Sequence, residues 1–449
     1  MIRGRTSERS PSIWVAGIVI LWLTLPGIAL AAEEATLETL EKRMIEGASV
    51  GDLIAYAYRA NPSVKAARET WKAVIERYRL ETAYPDPELS SAYYPKPLMA
   101  LYEMMVSQTI PFPGKLSKAG EVVKAEIEMA RLELDKALRD TIVGIRESYH
   151  ELFYIKNAKR VVALNRDLLE HLRKVGETAY ARDRATFFDV VKAQSQLAQL
   201  QYDAVLLEEL EQTEKAQLNA RLSRPPGAEI KFLDEETLPP LVYKLEEVYD
   251  VARKYQEEIR IAEAQINKAR AKVGLAKYEN LPMFRLGASY ARGNPDMVPE
   301  EFRNAVGVQF GLSIPLWLDK NVGRLEEARA EEQKALSMKT NQINETHAMI
   351  RNVYFRLKNS ERLILLYRDQ LLPQAAQAME IAETWFREKQ GSFADFIETE
   401  SVYYNFQLSL ARAKADYGRY LAQLEKLSGV SLTQKREKGG EKAPEERSR

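Results

Sequence analysis

The sequence predicts a mainly α chain with a small β part, long helical rods joined to four strands, and three observations carry that prediction. One pattern occurs twice along the chain. Two pairs of segments alternate apolar and polar residues with a period of two, as strands do. Each pair runs into a stretch tens of residues long without proline, where apolar residues recur at helical spacing.

The duplication is clearest in Ile145-Arg146-x-x-Tyr149-x-x-Leu152 and Ile350-Arg351-x-x-Tyr354-x-x-Leu357, 205 residues apart. Ile110-Pro111-Phe112 matches Ile314-Pro315-Leu316 just before each long helix, and Tyr180-Ala181-Arg182 matches Trp385-Phe386-Arg387. Phe187-Phe188-Asp189 and Phe393-Ala394-Asp395 follow. Upstream, Tyr84 and Pro87 match Tyr278 and Pro282 at offsets of 194 and 195, so the second copy holds roughly ten more residues between its strands. A period this long marks a duplicated domain-sized unit, not a short solenoid repeat.

Residues 1–31 read as a secretory leader, with Arg3, Arg5 and Arg9, an apolar run from Ile13 to Leu30, and Ala29-Leu30-Ala31 as the cleavage site. The alternative is an uncleaved anchor, since the run approaches the length needed to span a bilayer. The whole chain carries 65 basic and 65 acidic residues. Cleavage would remove three arginines and Glu8, leaving a formal charge of −2 and nothing that favours nucleic acid. Beyond the leader no stretch of eighteen apolar residues remains, so membrane insertion must be by strands. With no cysteine, the chain has no disulfide, no thiolate zinc site and no thiol for a lipid anchor.

From Glu34 to Tyr84 the pattern is helical, broken at Gly47–Gly51 and at Asn61-Pro62; its counterpart runs from Leu245 to Lys277 on a stripe of Val248, Val251, Ile259, Ala262 and Ile266. In the second strand pair, Phe284, Leu286, Ala288 and Tyr290 form one face while Arg285, Gly287 and Ser289 form the other. Val306, Val308, Phe310, Leu312 and Ile314 alternate likewise with Gly307, Gln309, Gly311 and Ser313. About ten residues is the length a tilted strand needs to cross a bilayer. A half-buried strand of a soluble sheet has the same period. The first pair, Glu88–Tyr94 and Leu101–Ile110, alternates less well, with Tyr93, Tyr94 and Tyr102 suited to an interfacial aromatic girdle.

Four strands cannot close a useful barrel, and an open edge cannot survive in hydrocarbon, so a transmembrane reading requires several copies to share one barrel. Three copies in cyclic symmetry would supply twelve strands. Lys115 to about Val175 carries a heptad-like seam of Leu138, Ile142, Ile145, Tyr149 and Leu152. From about Asn321 to Leu372, Leu336, Ile343, Ile350, Leu357 and Ile364 lie seven apart. Fifty to sixty residues make a rod of about 80–90 Å. Return helices are expected over Phe187–Leu222 and Phe393–Leu427, the second stopping at Ser428-Gly429. The organisation expected is a leader over 1–31, a first repeat over 32–222, a proline-rich linker and equatorial segment over 223–244, a second repeat over 245–432 and a charged disordered tail over 433–449.

Enzymatic chemistry finds no foothold. His150, His171 and His347 are scattered outside any metal-ligand spacing, and no phosphate loop or nucleophile elbow is present. No cofactor and no metal are expected.

The leader, the duplicated strand-pair-plus-helix units and the Ile-Pro step from strand to helix together resemble the TolC-like outer-membrane efflux channel family, over Leu53 to Leu432. The stretch from Trp385-Phe386-Arg387 through Phe393-x-Asp395 to Leu424-x-x-Leu427-x-Gly429 is most similar to its heavy-metal efflux branch. The resemblance implies a homotrimer with a shared twelve-stranded transmembrane β-barrel in the outer membrane lipid, continued across the periplasm by a barrel of twelve helices. It implies a passive exit duct of a tripartite efflux system for metal ions, drugs or other small molecules, working with a periplasmic adaptor (membrane fusion protein) and an inner-membrane pump. The adaptor-docking tips would be the turns holding Arg182, Asp183 and Arg184, and Arg387, Glu388, Lys389 and Gly391. Glu380 and Glu383, three apart just before the second tip, are the candidates for the carboxylates that close the pore in this family; they read equally as surface glutamates. The alternative function is a periplasmic coiled-coil adaptor or scaffold without a pore.

Overall fold

The computed structural model describes residues 37–95, 100–182, 185–231, 238–388 and 390–434. The expected leader and the tail from 435 onward lie outside them, as do Asp183, Arg184 and Lys389.

The chain runs through one order of elements twice. The first pass is α1 (Leu37–Glu46), α2 (Val50–Ala60), α3 (Pro62–Thr82), β1 (Glu88–Tyr93), β2 (Ala100–Ile110), α4 (Lys115–Tyr180) and α5 (Phe187–Arg221). The second is α6 (Leu245–Tyr255), α7 (Glu257–Glu279), β3 (Met283–Gly293), β4 (Asn304–Ser313), α8 (Leu318–Leu366), a π-helical turn (Tyr367–Leu371), α9 (Leu372–Arg387) and α10 (Phe393–Ser428). At 66 residues, α4 is a rod of about 100 Å.

Local chemistry fixes the boundaries. The repeated Phe-x-Asp step is an N-terminal capping box in both return helices. Thr186 caps α5 and Ser392 caps α10, each hydroxyl accepting from the backbone N–H of Asp189 or Asp395 while that aspartate accepts from the cap residue's N–H. Gly429, at φ 76°, ends α10 in the left-handed conformation that glycine alone adopts without strain.

Two expectations need correction. The helix expected over Leu245–Lys277 is broken at Gln256, which is extended and whose side-chain oxygen accepts from the Ile259 N–H at 2.7 Å; glutamine here does the work of a cap. The rod expected to stop at Leu372 continues through Pro373 to Arg387. A proline inside a helix lacks an N–H and crowds the carbonyl one turn back. Here the preceding turn is widened to π geometry, with the Leu372 N–H reaching back to the Tyr367 carbonyl, and this accommodates the ring.

The four strands form one antiparallel sheet in the order β1-β2-β3-β4. The helices pack against one another, α4 lying against α3, α5, α7 and α10, and α8 against α7 and α10. One apolar core joins α4 and α5 to the start of α10, through Ile145, Leu152, Leu169, Leu200, Phe393 and Ile397. A second holds the heptad residues Ile350, Leu357 and Ile364 against Tyr417 and Leu421.

Candidate functional site

Register makes the sheet two-faced. Phe284 pairs with Leu312, Leu286 with Phe310, Ala288 with Val308 and Tyr290 with Val306, so the apolar residues of β3 and β4 share one side. β2 adds Ile110, Val106 and Met104 to that side, opposite Phe284, Ala288 and Tyr290. These side chains cover nothing: Val308 is 88% and Val306 80% exposed. The other face holds Glu88, Glu103, Ser107, Thr109, Arg285, Ser289, Gln309 and the glycines Gly287, Gly307 and Gly311. A soluble sheet turns its apolar face to a core and its polar face to water; here the apolar face stands bare. Tyr102 and Tyr290 meet at 6.1 Å between ring centroids near the far end of the sheet, and Tyr93 pairs with Tyr102 across the β1–β2 register. Both outer strands, β1 and β4, have an unpaired edge among the described residues.

At the opposite end of the rods lie the two helical turns. Arg182 is exposed at the first, its N–H donating to the Ala179 carbonyl at 3.1 Å. At the second, the N–H groups of Gln390 and Gly391 both reach the Trp385 carbonyl, at 2.8 and 3.1 Å. At Gly391 a Cβ would stand 3.0 Å from Trp385 Cβ, a tight contact that glycine avoids. Glu388 and Arg387 are exposed. The turns also display apolar rings: Tyr180 and Phe187 meet at 5.9 Å, and Phe188 and Trp385 are exposed beside them.

Glu380 and Glu383 both lie on α9. Glu383 is ion-paired with Arg387 one turn on, so a gate candidate and a docking candidate neutralise each other. Glu380 is exposed and makes no ion pair among the described residues. The structure therefore brings Glu383 to Arg387 and leaves Glu380 apart.

One group escaped the sequence reading. Glu400, on α10 near the second turn, is 2% exposed, and its Oε1 has no hydrogen-bond partner. Burial pushes its carboxyl up to about 7. A signal was present: Phe393, Ile397, Glu400 and Tyr404 recur at spacings of four, three and four, which puts a carboxylate in an apolar seam. Further along, α4 and α10 meet through polar contacts. Glu147 accepts from Gln423 at 2.6 Å, Glu151 from Arg412 at 2.7 Å and Arg419 at 2.9 Å, and Gln407 from Asn165 at 3.1 Å. His150 sits in this seam over Gly418, and burial with Arg146 and Arg419 nearby pushes it down to about 4, so it is uncharged at neutral pH. Among the described residues no group of three potential ligands could hold a metal ion, and no helix is long and apolar enough to cross a membrane.

Comparison with known proteins bears on these features. A family profile described as Outer membrane efflux protein matches residues 248–430. The chain is 26% identical over 326 residues to the Pyoverdine export outer membrane protein OpmQ of Pseudomonas aeruginosa, a match that covers 68% of this chain and 63% of that protein, less than two thirds of the relative's length. Among solved structures it is similar to the outer membrane protein VceC of Vibrio cholerae, with a TM-score of 0.71, 18% identity, and coverage of 88% of this chain and 99% of that one. It is likewise similar to the Campylobacter jejuni CmeC outer membrane channel, with a TM-score of 0.72, 12% identity and 89% of each chain covered. At these identities the structural likeness is one of fold.

Proposed function

We propose that the chain is a member of the outer membrane efflux protein family, whose profile matches residues 248–430, and that it is the passive exit duct of a tripartite efflux system, a homotrimer whose strands close one barrel in the outer membrane and whose helices line a channel through the periplasm. Such a duct supplies a path; the energy comes from an inner-membrane pump reached through a periplasmic adaptor.

The observation that carries this reading is a set of contacts made once within the chain and left open once at its ends. We treat residues 32–222 and 245–432 as two repeats joined by 223–244. Three of the contacts by which the second repeat packs on the first carry the comparison: β3 pairs with β2, Phe393 lies against Gly176 of α4, and the Tyr278 ring lies over Gly114. Among the described residues, the matching residues on the free sides are exposed. β4 and β1 keep open edges. Phe187 is 64% exposed where its counterpart Phe393 is 2% exposed, and Ile381, the counterpart of Gly176, is exposed as well. Tyr84 and Leu318, the counterparts of Tyr278 and Gly114, are both exposed. A neighbouring copy presenting its first repeat to this copy's second repeat would pair the open strand edges and bring Phe187 and Tyr84 toward Ile381 and Leu318, whose side chains fill the space that Gly176 and Gly114 leave to the rings, and such head-to-tail contacts close into a ring. Three copies give twelve strands, four from each, which removes all edges and places the bare apolar face toward lipid and the polar face toward the lumen. A scaffold without a pore leaves that apolar face in water.

Glu380 and Glu383 are proposed to narrow the periplasmic end. The turns holding Arg182, Asp183 and Arg184, and Arg387, Glu388, Lys389 and Gly391, are proposed as the adaptor contact. The exposed rings of Phe187 and Trp385 at those turns support an end that meets another surface.

The test is conductance of the purified protein in a planar bilayer, with its mass in detergent measured on the same sample. Discrete channels from a trimer are expected. A monodisperse water-soluble species without conductance refutes the duct.

A further inference from the structure

We infer that the loop between β3 and β4, residues 294–303, folds into the barrel and narrows its outer mouth, so that this loop and not the strands sets the width of the exit. The inference rests on the duct reading above and deepens it by placing a size limit at the far end of the path.

Residues 294–303 join β3 to β4, a longer connection than the roughly two to five residues of an ordinary hairpin. The extra chain is built into a unit. The Asn294 carbonyl accepts from the N–H groups of Met297 and Val298 at 3.1 and 3.0 Å, and the Pro299 carbonyl accepts from the Phe302 N–H at 3.0 Å. Pro295 and Pro299 restrict the backbone further. The Arg303 guanidinium closes the loop, donating from Nε to the Val298 carbonyl and from Nη2 to the Pro295 carbonyl, both at 3.1 Å.

The pleat shows which way the loop leans. Side chains alternate between faces along a strand, so the place a Cβ would take at a glycine reveals what lies on that glycine's face. At Gly287 this place is bordered by Ser107 and Gln309, at Gly307 by Ser289 and at Gly311 by Arg285, all residues of the polar face. Gly293 lies an even number of residues from Gly287 on the same strand and so shares that face. Its neighbour there is Val298, whose Cβ would stand 3.1 Å from a Cβ on Gly293. Arg303 gives a second sign. The Gly293 N–H donates to the Arg303 carbonyl at 2.7 Å, which continues the pairing of Arg292 with Asn304 and sets Arg303 on the polar face with Ala305 and Gly307. The guanidinium that holds the loop therefore reaches across that same face. A loop leaning toward lipid would put Val298 on the side of Arg292 and Asn304 instead.

In the duct the polar face lines the lumen. Val298 carries its chain neighbours Met297 and Pro299 inward with it, and both are exposed. Twelve strands about 4.8 Å apart and tilted by about 40° close a ring about 24 Å across. Three folded loops laid on the inner wall of so small a ring leave only part of that width open.

The chain has no cysteine, so a single substitution gives each copy one thiol for a nitroxide spin label. Full-length protein carrying Met297→Cys, Gln309→Cys or Phe310→Cys is labelled, its mass in detergent is measured, and distances between copies are read by dipolar spectroscopy in frozen vesicles. Gln309 and Phe310 adjoin on opposite faces of β4 and supply the ruler. Equivalent points on the wall of such a three-copy ring lie about 21 Å apart. The Gln309 label should read below that spacing and the Phe310 label above it. Met297 is expected below it, with Gln309. A Met297 distance at or above the wall spacing, with the two rulers on their expected sides, overturns the inference and leaves the duct standing. A monomeric mass with no distance between copies at any of the three positions overturns the duct and this inference together.

Discussion

Replacing Glu400 by glutamine should tighten the helical end of the molecule at neutral and alkaline pH and leave it unchanged in acid. The carboxyl is buried on α10 in the seam of Phe396, Ile397 and Tyr404 near the turn, and it is held near 7 where an ordinary glutamate titrates at 4.5. That difference weighs about 3 kcal/mol against the charged form in the packed state. Below about pH 4.5 the group is protonated whether α10 is packed or opened, and the native state loses nothing. Between 4.5 and 7 the opened state releases its proton first, so the packed state weakens as pH rises, and above 7 the full cost stands. Glutamine keeps the shape and cannot ionise; the first repeat carries Gln194 five residues after its capping aspartate, where the second carries Glu400. Hydrogen exchange of the α10 amides between Phe393 and Tyr404, corrected for intrinsic rates, reads the local opening directly. At pH 8 the variant should be protected on the order of a hundredfold more than the parent, a factor set by the same 3 kcal/mol. At pH 4 the two should coincide. Equal loss of protection with pH in both proteins would show that Glu400 is not the group that titrates, and the account of its burial would fall.

Other consequences can be checked with single substitutions. Gly418→Ala would place a Cβ 2.3 Å from the His150 ring, and the overpacking should cost about 1–3 kcal/mol less the ~1 kcal/mol alanine gains in a helix; the melting temperature in detergent should fall and recover when His150→Ala is added. Glu380→Gln with Glu383→Gln should change single-channel conductance and divalent-ion block, and because Glu383 also holds Arg387, Arg387→Gln alone should shift block in the opposite sense. Unaltered block in the double variant removes both carboxylates from the constriction. Arg387→Glu with Lys389→Glu should reduce crosslinking to the cognate adaptor, and undiminished crosslinking would count against the second turn as a docking surface.

Much of the architecture was legible because its signals are local. Alternation in Phe284–Tyr290 and Val306–Leu312 gave the strands and the shared face, and the paired Phe-x-Asp steps marked the starts of both return helices. The break at Gln256 and the continuation across Pro373 escape the sequence for a common reason. Each depends on a backbone arrangement, a side-chain cap in one case and a widened turn in the other, that residue type alone does not announce. Glu400 was missed because carboxylates on long helices usually face water, although its heptad position argued otherwise. The open contacts at Phe187, Ile381 and Leu318 lay beyond any reading of a single chain, since the partners proposed for them belong to another copy.

The unpaired edges of β1 and β4 have a consequence for biogenesis. Alternate residues of β1 and β4 turn backbone N–H and C=O groups to an outer edge that has no sheet partner among the described residues, and hydrocarbon offers none. A lone copy has no stable position in the bilayer, while in water its bare sheet face and ready-made edges invite aggregation. Folding, association and insertion are thus bound into one event. The yield of inserted channel should climb more steeply than linearly with the supply of chains, and a cell producing too little would accumulate stranded intermediates instead of smaller channels.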